Sequence, residues 1–519
     1  MGGFNAEHQN VRTLSAQRDG IIVPDLPTID TSTEQDVAGG GYNHWATAGF
    51  FGRLNYNYKE KYLLEVNGRY DGTSRFMKDQ RWNFFPSFSL GWNVARENFW
   101  KPLESVVNQF KLRGSWGELG NQNTSNLYPF YEILPVKSNS GNWLVNGGKT
   151  NTADIPSLVS TLLTWERVRS FNVGFDFGAF SNRLTGSFDY FVRKTVDMVG
   201  PAPQLPLVLG IAPAIVNNAD MKSYGFEIEL SWRDRIGEVD YGVKFNLADA
   251  QQKVVKYPNT TNAFSDWHAG KMSGEIWGYT SLGIAKTDEE MKEHLASLPN
   301  GGQNQLGNKW GAGDIMYADI NGDGKVDGGK GTLADPGDQR IIGNSTPRYN
   351  FGLVLDASYK GFDVSIFFQG VGKRDYAPIV GTNGAVFWGA VNNIWQSMAM
   401  EEHFDYFRPE GHPMGANLNG YYPRPDFTSN KNHQVQTRYL QDASYIRLKN
   451  LQIGYTLPKQ WINKLHINRC RVYVSGDNLW TGTSLASMFD PETLAAGDWG
   501  SGKTYPLSKV ISFGLNVNF

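Results

Sequence analysis

The stretch from Lys509 to Phe519 constrains the rest of the chain most. Ile511, Phe513, Leu515, Val517 and Phe519 alternate with Ser512, Gly514, Asn516 and Asn518. In a strand, a period of two places every apolar side chain on one face and every small polar one on the other. A soluble sheet covers so regular an apolar face. A membrane barrel turns it to lipid and turns the polar face to water.

The same grammar recurs along the chain. Phe50, Gly52, Leu54, Tyr56 and Tyr58 alternate with polar residues, turn at Lys59-Glu60, and continue as Leu64, Val66, Gly68 and Tyr70. Phe171 to Phe177 faces Leu184 to Tyr190 in the same way, and Tyr224 to Trp232 faces Tyr241 to Leu247. Glu227 and Glu229 on one polar face point to a wet interior. With further alternating runs at 88–94, 110–117, 275–285, 348–359, 361–370, 443–457, 469–480 and 507–519, the count is about fourteen strands. Residues 1–46 are polar and Gly-rich without a period, and are expected to be an irregular extracellular lead-in to a barrel portion over 47–519. Tight turns alternate with long segments near 119–164, 286–345 and 371–436, the asymmetry of an outer-membrane barrel. The expected fold class is therefore all-β, a transmembrane antiparallel β-barrel with long extracellular loops.

Composition supports this and closes other routes. The chain carries 16 Trp, 24 Tyr and 30 Phe beside 58 Gly, which suits interface girdles, tight turns and crowded lumens. No run approaches the roughly 18 apolar residues of a spanning helix. A net charge of −2 offers no electrostatic basis for nucleic acid. The single cysteine, Cys470, excludes a disulfide framework. The opening Met-Gly-Gly-Phe-Asn-Ala-Glu-His has neither a basic nor an apolar signal region, so the export signal is expected elsewhere, the chain being a fragment or the partner of another polypeptide.

Chemistry-bearing motifs are few. Asp319, Asn321, Asp323 and Asp327 occupy positions 1, 3, 5 and 9 of a calcium-type loop, with Gly324 at the sharp turn and the Lys325 carbonyl as a further oxygen. Position 12 is Lys330, so a closing carboxylate must come later, from Asp335 or Asp338. A structural calcium bracing a loop is the expected cofactor. Trp143, Trp267, Trp310, Trp388 and Trp395 lie in the long loops and are candidates for stacking on sugars or packing peptide side chains, against the plainer reading of loop cores and interface anchors. No H-E-x-x-H or G-x-S-x-G pattern occurs, and no catalytic residue is expected.

Several stretches together resemble the SusC/RagA family of TonB-dependent outer-membrane transporters. They include Phe51-Gly-Arg-Leu-Asn-Tyr-Asn-Tyr58, Arg69-Tyr-Asp-Gly-Thr-Ser-Arg-Phe76 and Phe85-Pro-Ser-Phe-Ser-Leu-Gly-Trp92. Later come Asp314-Ile-Met-Tyr-Ala-Asp-Ile-Asn-Gly-Asp-Gly324, Ile341-Ile-Gly-Asn344, Tyr359-Lys-Gly-Phe-Asp363, Ser444-Tyr-Ile-Arg-Leu-Lys-Asn450, Gly454-Tyr-Thr-Leu-Pro458 and Ser475-Gly-Asp-Asn-Leu479. The resemblance favours Asp338, just before Ile341-Ile342-Gly343-Asn344, as the late carboxylate. It implies barrels of about 22 strands with an N-terminal plug, of which this chain matches the C-terminal barrel portion. It further implies glycan or peptide import driven through TonB, a SusD-like surface lipoprotein over the loops, and a plug with the first strands on another polypeptide if the chain is a natural product. The alternative is a calcium-stabilised surface adhesin or glycan-binding all-β protein.

Overall fold

The computed structural model describes residues 1–26, 28–124, 126–202, 205–378, 385–389, 399–426, 429–462, 467–494 and 504–519. Fourteen strands form one sheet: β1 (Gly2–Ile21), β2 (Ser32–Tyr58), β3 (Tyr62–Thr73), β4 (Trp82–Asn93), β5 (Val107–Asn121), β6 (Glu166–Ala179) and β7 (Leu184–Val199). They continue as β8 (Asn217–Ile236), β9 (Val239–Lys256), β10 (Arg348–Tyr359), β11 (Phe362–Lys373), β12 (Tyr445–Thr456), β13 (Arg469–Thr483) and β14 (Val510–Asn518). Each strand pairs with its neighbours in sequence, so the sheet is an antiparallel meander with β1 and β14 as its edges.

Register makes the alternation physical. Leu54, Val66, Phe88, Trp116 and Phe171 stand opposite one another across five strands. One residue along, Asn55, Glu65, Ser89, Ser115 and Asn172 form the matching polar row on the other face. Farther round the sheet, Leu112, Phe175, Phe188, Ile228, Leu247 and Phe351 continue the apolar face. Many of these side chains are exposed and the others half-buried: Leu54 is 63% exposed, and Phe513 on β14 85%. An apolar face of this extent left open on a well-ordered sheet is a lipid-facing surface.

The polar face is laced by ion pairs. Arg113 on β5 reaches Asp176 on β6 at 2.9 Å and Asp189 on β7 at 2.7 Å. Arg471 on β13 holds Asp363 on β11 through Nε at 2.9 Å. Such groups are unaffordable in hydrocarbon and fit a water-filled interior, where they also bind non-adjacent strands.

The longest and the tightest connections fall at opposite ends of the sheet, with segments 94–106 and 457–468 intermediate at the tight end. Tight turns join β2–β3, β6–β7, β8–β9 and β10–β11. At Lys59-Glu60 (φ 53° and 58°), in the loop 59–61, and at the two-residue loop Lys360-Gly361 (φ 46° and 91°) both residues are left-handed, the twist that matches a tight hairpin. Segments 122–165, 257–347, 374–444 and 484–509 leave from the opposite end.

The lead-in expected over residues 1–46 is instead β1 and most of β2, paired from Gly2↔Gly52 to Ile21↔Ser32. A strand needs only about 9–11 residues to cross a bilayer, and β2 runs for 27. Its outer part stands in water on both faces, so nothing imposes a period of two there. Conversely, the strand expected at 275–285 lies outside the main sheet: Glu275–Gly278 pairs with Arg340–Asn344 and Ser281–Ile284 with Ile315–Tyr317 within the longest loop.

Val173 is exposed at the middle of β6, opposite Gly114 and Tyr190. Val173→Arg is expected to destabilise the folded sheet in lipid by about 2–4 kcal/mol, while Asn172→Arg on the polar face is tolerated. Urea unfolding followed by heat-modifiable gel mobility in phospholipid vesicles checks the difference.

Candidate functional site

Among the described residues, the larger hydrophobic core lies among the loops, not within the sheet. Tyr279, Ile315, Tyr317 and Val326 of segment 257–347 pack with Phe387, Trp388, Tyr422 and Tyr439 of segment 374–444 and with Leu485, Phe489 and Leu494 beyond β13. Many rings meet edge-on, as in Trp388 against Tyr439 at 4.8 Å and Tyr376 against Phe489 at 5.2 Å, while Phe387 stacks on Phe489 and Tyr422 on Tyr439.

Local chemistry shapes each piece. Helix α1 (Asp288–Ala296) starts where the Thr287 hydroxyl accepts from the Glu290 N–H at 3.1 Å, and three acids in its first turn complement the helix dipole. Its Met291 is buried. Gln303, fully buried, donates to the Ile315 carbonyl at 2.8 Å and accepts from the Tyr317 N–H at 3.1 Å, acting as a substitute strand edge.

At the centre is Asp314, with no exposed surface. Its carboxylate accepts from Arg424 Nε at 2.8 Å, Arg424 Nη2 at 2.6 Å, Lys431 Nζ at 2.9 Å, Asn432 Nδ2 at 2.9 Å and the Gly311 N–H at 2.9 Å. Lys431, itself 1% exposed, also donates to the carbonyls of Asn308 and Lys309. Tyr317 Oη donates to the Lys431 carbonyl at 2.7 Å. Burial raises the Tyr317, Tyr422 and Tyr439 hydroxyls above the usual phenol range, so they remain protonated donors. The third segment is tied down by Arg447, which reaches Asp490 and Glu492, each at 2.7 Å, and by Arg374 Nη2 donating to the Leu494 carbonyl at 2.8 Å.

The calcium-type loop is compact. Asp319 accepts from the N–H groups of Gly322 at 2.6 Å and Gly324 at 2.8 Å. Asn321 Oδ1 accepts from Asp323 N–H, and Asp323 Oδ1 from Lys325 N–H. Asp338, fully buried, closes the loop: it accepts from Ile320, Asn321 and Asp327 N–H at 2.7, 3.3 and 2.8 Å. The all-oxygen donor set suits a hard cation. In this arrangement, however, Lys325 Nζ is hydrogen-bonded to Asp327, which holds that carboxyl below the usual range. Among the described residues, no three His, Cys, Asp or Glu side chains converge as a metal cage.

The tryptophans do not form one platform. Trp310 packs against the loop core, its Nε1 donating to the Gly307 carbonyl at 3.1 Å, and Trp388 lies within that core. Trp267 meets Tyr257 edge-on at 6.0 Å, and Trp143 is 60% exposed in segment 122–165. Trp395 lies outside the described residues. The Asp314–Arg424–Lys431–Asn432 cluster carried no sequence signal beyond an acid preceding the alternating Ile315-Met316-Tyr317.

An open antiparallel meander with a lipid-facing exterior, a polar interior and all long loops at one end defines the wall of an outer-membrane β-barrel. The chain belongs to the family described as TonB dependent receptor-like, beta-barrel, which matches residues 2–479. That is a family of outer-membrane barrels, not of enzymes. The chain is 30% identical over 499 residues to the TonB-dependent receptor P3 of Formosa agariphila, covering 90% of this chain and 45% of that protein. It is 24% identical over 484 residues to the TonB-dependent receptor SusC of Bacteroides thetaiotaomicron, covering 91% and 43%. The solved structure of the RagAB peptide transporter superposes on 100% of this chain and 53% of its own chain, with a TM-score of 0.77 at 22% identity. The SusC/RagA resemblance seen in the sequence therefore holds, and the chain spans about half the length of the curated relatives it matches.

Asp314→Ala leaves the Lys431 ammonium buried with the Asp426 carboxylate 3.7 Å away in place of Asp314 at 2.9 Å. A loss of about 3–5 kcal/mol is expected for the loop layer, with the sheet intact. Limited proteolysis of the loops, set beside heat-modifiable mobility of the whole chain, checks it.

Proposed function

We propose that this chain forms the C-terminal barrel wall and outer loop layer of a nutrient importer of the SusC/RagA type. Its cargo is glycan or peptide, its import is driven through TonB, and a SusD-like surface lipoprotein covers the loops. The observation carrying this reading is the loop layer itself. The last three long connections, β9–β10, β11–β12 and β13–β14, share one buried core, which makes a packed rim for a large solute and for a covering partner.

The open edges at β1 and β14 add a requirement. Unpaired strand edges do not persist in lipid, so further strands, with the plug, complete the barrel from the remainder of the protein or from a second polypeptide. The same edges disfavour a free-standing adhesin. Uptake of labelled oligosaccharides and oligopeptides by cells carrying the complete assembly tests the reading. Import is expected to disappear on deletion of residues 257–347 or on addition of a protonophore; import unaffected by both overturns it.

Calcium remains part of the proposal as a brace for the rim. Asp319, Asn321, Asp323, the Lys325 carbonyl, Asp327 and Asp338 would hold it once the Lys325 ammonium leaves Asp327. Protease resistance of segment 319–338 is expected to fall under excess EGTA and to become insensitive to EGTA in Asp323→Ala. Equal cleavage of the wild-type chain with calcium and with EGTA would rule the brace out.

A further inference from the structure

We propose that a row of cations on the outward face of the sheet, Arg169, Lys194, Lys222 and Lys253, is a docking site for the phosphate-bearing headgroup of an outer-leaflet lipid. The inference rests on the reading of this sheet as a barrel wall with its long loops outside the cell, and not on import. Register brings the row together. Arg169 of β6 stands opposite Lys194 of β7, Lys194 opposite Lys222 of β8, and Lys222 opposite Lys253 of β9. Residues directly opposite in an antiparallel pair share a face, so the four cations lie side by side on adjacent strands spaced about 5 Å apart.

The depth of the row decides what it meets. Two residues nearer the tight turns, Phe171, Val192 and Tyr224 stand opposite one another on the same face, and Phe171 is 47% exposed. On β7 the apolar alternation from Leu184 to Val192 matches the roughly 9–11 residues that cross a bilayer, and Lys194 takes the next outward position. The row therefore stands where hydrocarbon gives way to headgroups, at the end from which the long loops leave. Lys222 Nζ lies 5.3 Å from the centroid of the Tyr224 ring, an amphipathic ring of the kind that marks this depth.

The chain supplies no counter-charge to the three lysines. The neighbouring acids are committed elsewhere: Glu118 of β5 holds Arg169 at 2.7 Å and lies 3.9 Å from Arg167, and Asp197 lies 3.5 Å from Arg167. Asp220 accepts from the Asp197 N–H at 3.0 Å, and Asp249 is paired with Arg348. Among the described residues, Lys194, Lys222 and Lys253 make no ion pair. Like charges directly opposite one another destabilise a sheet, and an anion lying across the row removes that cost. A lipid phosphate is the anion this depth presents, because its acyl chains cover the apolar residues below while its headgroup reaches the ammonium groups. Basic clusters at a membrane surface gather anionic headgroups in this way.

The test is a titration, read by native mass spectrometry, of the complete barrel containing the full chain in neutral detergent. Monophosphoryl lipid A, an acylated glucosamine disaccharide with one phosphate, is expected to bind more tightly than its dephosphorylated form, and excess inorganic phosphate is expected not to displace it. Lys194→Gln, Lys222→Gln and Lys253→Gln are each expected to weaken binding about fivefold. In phosphatidylcholine vesicles the triple variant is expected to resist urea at least as well as the wild type, since repulsion along the row is gone; a merely structural role would weaken it. Lys59→Gln with Lys360→Gln, at the tight-turn end, is the control and is expected to leave binding unchanged. Equal binding of the two glycolipids, unchanged affinity in the folded triple variant, an equal fall in the control, or displacement by inorganic phosphate overturns the site. Absence of heat-modifiable mobility in plain phosphatidylcholine would strike the wall reading together with the site, whereas a folded wall that binds no glycolipid strikes the site alone.

Discussion

In hydrocarbon there is no water to take up a backbone hydrogen bond, and every feature of this sheet answers to that constraint. Each interior strand satisfies its peptide groups from both neighbours, which is why the topology is a plain meander without crossovers. Once the backbone is satisfied between strands, side chains divide by face alone. The row from Leu54 to Phe171 meets lipid, and the row from Asn55 to Asn172 meets water. Ion pairs such as Arg113 with Asp176 and Asp189 can then stand on the inner face, where their hydration is retained.

The loop layer obeys a different rule. Outside the membrane, apolar side chains again gain by mutual burial, and the aromatic cluster around Tyr317, Phe387 and Tyr439 is an ordinary hydrophobic core. Its unusual component is the Asp314–Lys431 pair, buried with Arg424 and Asn432. A buried ion pair contributes little net stability over an apolar substitute, but it admits few alternative packings. That property suits a rim whose parts come from segments separated by more than 100 positions in sequence, as Asp314 and Lys431 are.

Legibility followed the environment. Where lipid lies on one side and water on the other, the period of two is imposed, and the strands from Phe50 onward could be read from it. Where a strand stands in water on both sides, as in the outer parts of β1 and β2, Gly39-Gly40-Gly41 and its polar neighbours gave the appearance of a loop. The total of fourteen strands came out the same only because β1 took the place of the alternating run at 275–285. That run has strand chemistry but spends it on two small loop ladders, since pairing partners are not encoded in periodicity. For the candidate site, Trp310 and Trp388 were visible as loop aromatics, but their shared core with Tyr279 and Phe489 was not.

The sequence by itself determined the all-β class, the faces of the membrane-spanning strands from Phe50 onward, the end carrying the long loops, and the resemblance to the SusC/RagA family. These depend on residues close together in the chain and on an environment with two distinct sides. Only the tertiary structure decided the register, the open edges at β1 and β14, the fusion of the loops into one core, and the engagement of Lys325 with Asp327. Those depend on contacts between distant segments, for which no local pattern exists because burial is a property of what packs against a residue.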